Sequence, residues 1–62
     1  MIERITEGLV VQAARECAAR KNESDATAVA NAQEAMVALK VKLSSEEYDQ
    51  ALAKLYREYE ES

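Results

Sequence analysis

Lys42-Leu43-Ser44-Ser45-Glu46-Glu47 decides how many helices this chain has. Ser44, followed three residues later by Glu47, has the spacing of a capping box. In that motif the serine hydroxyl and the glutamate carboxylate each accept an amide that the new helix would otherwise leave open. Acids in a first turn also suit the positive end of the helix dipole. The hexapeptide therefore reads as a helix start. One alternative stays open, because no proline or glycine stands there. Val37, Val41, Tyr48, Leu52, Leu55 and Tyr59 fall on a single continuous helical stripe. The chain would then be a two-helix hairpin that dimerises into a four-helix bundle. The break is favoured, since a through-going helix would make the main apolar stripe before Leu43 jump by roughly 150°.

Downstream of the break, residues 45–60 place Tyr48, Ala51, Leu52, Leu55, Tyr56 and Tyr59 within an arc of roughly 140°. The opposite side is nearly all charged. Glu58, Glu60 and Glu61 do not suit the negative end of a helix, so fraying is expected there.

Upstream, residues 25–43 predict a second helix. Val29, Ala32, Met36, Leu39 and Leu43 form one stripe, and Ala26, Ala30, Val37 and Val41 form another. A helix apolar on most of its circumference is expected to be central and contacted from two sides. Asn22-Glu23-Ser24-Asp25 separates it from a first helix over about residues 2–21. Asparagine tolerates the left-handed conformation at a helix end, and serine or aspartate caps the next start. On the first helix Ile2, Ile5, Leu9, Val10, Ala13 and Cys17 share one face, while Val11 points away from it. Gly8 sits inside that pattern and marks a late start after Thr6, a close helix approach, or neither.

The expected fold is thus all-α, a small three-helix bundle formed by one domain over residues 1–62. The whole chain holds no proline, no histidine and one glycine. A domain of this length buries only about 60% of its unfolded surface. No disulfide partner exists for Cys17 and no Phe or Trp fills a centre. Oligomerisation is the common remedy, and a homodimer is expected.

Charge is uneven. Residues 1–43 carry six acids and six bases, so the net charge of −4 lies entirely on residues 44–62. An acidic balance argues against nucleic acid, whose binding needs a phosphate-neutralising face. The longest apolar run, Leu9-Val10-Val11, is far too short for a membrane span. The N-terminal residues lack the pattern of a signal peptide, and one cysteine fits a reducing compartment, so a cytoplasmic location is expected.

Chemistry has few tools here. Without histidine, acid–base work would fall to carboxylates, and these lie on polar helix faces. A metal site would need converging ligands, and no calcium-loop pattern is present. The single glycine excludes glycine-rich phosphate loops. Cys17 lies on the apolar stripe with no histidine to activate it. No enzymatic role, cofactor or metal is expected.

A small non-enzymatic protein acting by protein–protein interaction is the leading expectation, a regulatory or accessory factor of the bacterial or phage kind. Tyr48, Leu52, Tyr56, Tyr59 and Glu58 are the candidate partner-binding residues. Tyrosines combine an apolar body with a polar tip, and flanking carboxylates suit a partner with a basic and apolar patch. The second apolar face of helix two is the other candidate surface. The runner-up is a helix-turn-helix DNA reader. It would rely on Arg15, Arg20 and Lys21 for phosphate and on outward residues such as Asn31, Gln33, Lys40, Lys42, Gln50, Lys54 and Arg57.

Overall fold

The structure, a computed structural model, describes residues 4–62. It contains three helices: α1 (Glu7–Lys21), α2 (Asp25–Lys42) and α3 (Ser45–Glu61). Among the described residues there is no strand, and the chain is a small all-α three-helix bundle. Ile2, expected on the first apolar stripe, lies outside the described residues.

The break before α3 is made by two consecutive extended residues, Leu43 (φ −112°, ψ 154°) and Ser44 (φ −68°, ψ 167°). Ser44 Oγ accepts the Glu47 amide at 3.3 Å, and Glu47 Oε1 accepts the Ser44 amide at 3.1 Å. Both halves of the capping box are therefore formed, and the through-going helix is excluded. Between α1 and α2, Asn22 takes the left-handed conformation (φ 63°, ψ 38°). Its amide donates to the Ala19 carbonyl at 3.3 Å, and the Glu23 amide donates to the Ala18 carbonyl at 2.8 Å. That pair of bonds is a Schellman closure, which satisfies carbonyls left open by the end of α1. Ser24 then caps α2 by accepting the Thr27 amide.

The first helix starts later than residue 2. Thr6 is extended and its Oγ1 accepts the Leu9 amide at 3.2 Å, so helical geometry begins at Glu7. Gly8 thereby falls in the first turn. A Cβ added to it would meet only Thr6 Oγ1, at 3.8 Å, so no close helix approach requires a glycine there. Ile5 precedes α1 but still packs against the core.

Contacts at the two ends fix the topology. Tyr48, in the first turn of α3, donates its hydroxyl to the Glu7 carboxylate at the start of α1. Arg4 pairs with Asp49 at 2.7 Å at the same end. At the other end Arg20 of α1 reaches the carbonyls of Tyr59 and Ser62. The helices α1 and α3 therefore run parallel, with α2 antiparallel to both.

The core joins Val10, Met36 and Leu52, one from each helix, with Ile5, Val11, Leu55 and the three tyrosines packed against it. The helix contacted from two sides is α1, not α2 as its apolar circumference suggests. Small residues explain the exchange. Ala13, Ala14, Cys17 and Ala18 are all buried on α1 and let both neighbours come close. On α2 the wide apolar circumference is mostly alanine, which gains little from burial, and only Ala32 and Met36 are fully enclosed. The buried arc of α1 is rotated accordingly. It centres on Val10, Ala14 and Cys17, and Leu9 sits at its margin, 36% exposed. The helices α2 and α3 touch each other least, so the bundle is open along that side.

Candidate functional site

Two surfaces stand out once the helices are in place. On α3, Glu46, Glu47, Gln50, Lys54, Arg57, Glu58, Glu60 and Glu61 are exposed and form the charged outer face. On α2, Ala26, Ala30, Gln33, Val37 and Val41 are all exposed. Their spacing of four, three, four and four residues places them within an arc of roughly 80° on one side of the helix. This stripe carries no charge, and its two valines are strongly solvated: Val37 is 63% and Val41 81% exposed.

The α2 stripe does not end at the helix. A groove between α1 and α2 is lined by Glu7, Gly8, Val11, Gln33, Met36 and Val37. Val11, which points away from the main α1 face, thus serves two purposes. It packs against the core edge and borders this groove. The late start of α1 brings Gly8 to the same groove, where it projects no side chain. A smaller groove lies on the open side of the bundle, between α2 and α3, lined by Leu39, Ala51, Lys54, Leu55 and Glu58.

The five candidate partner-binding residues of α3 differ in exposure. Leu52 is 3% exposed and belongs to the core. Tyr48, Tyr56 and Tyr59 are half-buried with their rings against that core. The Tyr48 hydroxyl is bonded to Glu7. Burial, that hydrogen bond and the neighbouring Glu7 and Asp49 charges push the Tyr48 phenol up to about 12. Burial also raises Tyr59, reinforced by Cys17 and Glu58. These phenols are seated in the α1–α3 contact, and of the five candidate residues Glu58 alone is exposed. The physical reason is area: three tyrosines and two leucines are the largest apolar groups on α3, and burying them against α1 is the strongest driving force available to that helix.

Cys17 is buried in the α1 seam. Among the described residues, no group of three or more histidine, cysteine, aspartate or glutamate side chains is placed to hold a metal ion. No helix among them is long and apolar enough to cross a membrane. Of the basic residues proposed for phosphate, Arg20 is turned onto the end of α3, and Arg15 lies 3.8 Å from Asp25 across an exposed ion pair.

The exposure of the α2 stripe follows from the identity of the central helix. Its residues are visible in the sequence as a second apolar stripe. What hides their exposure is that alanine-rich α1, not α2, fills the middle. The run Ala13-Ala14 and Ala18-Ala19 around Cys17 is the signal for that, because only small side chains let two helices pack on one at close range. Compared with known proteins, the chain matches no family model, no curated protein and no solved structure.

Proposed function

We propose that this chain is a non-enzymatic interaction protein that binds an apolar helical surface through the outer face of α2. One observation carries the reading: two valines, 63% and 81% exposed, stand on an uncharged stripe that runs the length of a helix. Single exposed apolar residues are ordinary, but an uncharged strip of alanine and valine, interrupted by Gln33 and continued by a groove, is the form an interaction surface takes. An amphipathic helix from a partner would lie along it, with anchors at helical spacing. The acidic outer face of α3 remains in solvent and would steer a partner that also carries a basic patch.

The DNA-reading alternative draws less support. Arg20 is committed to the α3 terminus, Arg15 faces Asp25, and the net charge is negative. A gel-shift titration against salt checks it directly. A shift that weakens steeply with salt would favour a phosphate-binding face.

The proposal is tested by placing a photo-crosslinking amino acid at Val41 in cells, with Gln50 on the α3 face as the control position. Discrete covalent adducts from position 41 and none from 50 are expected. Absence of any adduct from position 41 rejects the α2 face as an interface.

A further inference from the structure

We infer that the partner helix lies in a valley between α1 and α2, and that it carries lysine or arginine on its flanks to meet Glu7 and Glu16. The inference rests on the reading of the α2 face as an interface and names the chemistry of its partner.

The shape of the seat is the first argument. The groove bounded on its α2 side by Gln33, Met36 and Val37 is continued by a second one, which runs along α1 from Gly8 to Ala19 and ends at Asp25. The two share Gly8 and Val11, so they form one valley along the seam of two antiparallel helices. On the α1 side Gly8, Gln12, Arg15 and Ala19 follow at intervals of four, three and four residues, within an arc of roughly 60°. The exposed stripe of α2 has the same spacing, and its Gln33 and Val37 stand in the valley. Two rows of matched helical period are what a third helix packs between. From Gly8 to Ala19 the valley is about three turns of helix long.

Charge gives the second argument, independently of shape. Glu7, Glu16 and Asp25 line the valley, with Arg15 the one base among the lining residues. Arg15 faces Asp25 across the seam at 3.8 Å, so those two charges offset each other. Neither Glu7 nor Glu16 has an ion-pair partner among the described residues. Outside the lining, Glu34 and Lys40 flank the α2 stripe on opposite sides and leave the balance unchanged. The valley is therefore acidic on balance, and a helix settling over it would desolvate carboxylates that have no cation. A partner that brings cations relieves that cost, and one that brings acids adds repulsion to it.

Both carboxylates are already oriented by neutral donors. Tyr48 donates its hydroxyl to Glu7, and the Gln12 amide reaches Glu16 at 3.4 Å. Such donors restrict a side chain without discharging it, which lowers the ordering cost of pairing with an incoming cation. The two acids are nine residues apart, about 14 Å along α1. Basic residues near the two ends of a three-turn segment match that separation.

The test titrates the full chain, isotope-labelled for amide NMR, with two synthetic helical peptides of about 18 residues, a length of about 27 Å. Both carry leucines along one face. One has lysines on its flanks, the other glutamates. The lysine peptide is expected to shift the amides of Gly8, Val11, Ala19 and Val37 saturably, with an affinity that falls as salt rises. The glutamate peptide is expected to bind several-fold more weakly. Glu16→Lys should weaken the lysine peptide several-fold with unchanged helical circular dichroism, because the position is exposed. Glu7→Gln should weaken it as well. Tyr48→Phe loses the same hydrogen bond but keeps the carboxylate, so it should bind like the wild type. Equal binding of the two peptides, shifts confined to α3, or no binding by either overturns the inference. In cells, a photo-crosslinking residue at Gln12 is expected to give the same adducts as one at Val41. Adducts from 41 with none from 12, or adducts with the mass of two copies, overturn it while leaving the α2 face an interface. Absence of adducts from both positions overturns the inference and the reading beneath it.

Discussion

Arg20, in the last turn of α1, donates to the Tyr59 carbonyl at 2.6 Å and reaches the Ser62 carbonyl at 3.4 Å. One helix thus supplies the cation that the C-terminus of another lacks. The last turn of α3 contains no base of its own, and α3 is helical to Glu61. A guanidinium is suited to this, because its fork of donors serves two carbonyls at once.

Removing that cation is expected to loosen the end of α3. Arg20→Ala should cost about 1 kcal/mol, through loss of a charge-assisted bond and of the dipole interaction. In a domain of this size that shifts Tm by roughly 4–8 °C. Amide hydrogen exchange should quicken first in the last turn of α3. Unchanged exchange there would mean that Arg20 is solvated and contributes nothing.

Stability at high pH should depend on Tyr48. Its phenol, raised to about 12 by burial and by Glu7 and Asp49, holds its proton more tightly in the folded chain than in the unfolded one, where it titrates near 10. The resulting stabilisation is complete below about pH 10 and is lost as pH rises toward 12. Tyr59 is shifted in the same direction. Tyr48→Phe should therefore flatten part of the decline, leaving the share due to Tyr59. Denaturant titrations at pH 9 to 12, with phenolate absorbance followed in parallel, read both effects.

The two interhelical breaks should respond to their caps. Ser44→Ala removes the acceptor of the Glu47 amide and should cost about 1 kcal/mol. Asn22→Ala forces a Cβ-branched-free but still L-configured residue into the left-handed region and should cost about 1 kcal/mol, whereas Asn22→Gly should be neutral or stabilising. Chemical denaturation ranks the three variants. An Asn22→Gly variant less stable than Asn22→Ala would contradict the Schellman geometry.

Core and outer face should separate cleanly in truncation. Leu52→Ala opens a cavity beside Val10 and Met36 and should cost about 2–5 kcal/mol, enough to unfold a marginal domain. Val41→Ala, at an 81% exposed site, should change the monomer by less than about 0.5 kcal/mol. Thermal melts at low protein concentration keep association out of the comparison.

Much of this architecture is local and so was legible residue by residue. The break at Ser44, the turn at Asn22 and the amphipathic face of α3 each depend on side chains within four positions of one another. Hydrogen bonds between near neighbours form wherever the chain goes, so their spacing favoured three helices over a through-going second helix. The candidate surface was legible only in part. That Ala26, Ala30, Val37 and Val41 share one side of α2 follows from helical period. That this side faces solvent does not, because it depends on which helix takes the centre. Tertiary packing decided that question in favour of α1, whose run of small side chains admits two neighbours. The same choice turned the tyrosines of α3 inward and carried Arg20 to the far end of another helix. These are contacts across about forty positions of sequence, set by how faces of unequal size fit together. No pattern within a single helix encodes that fit.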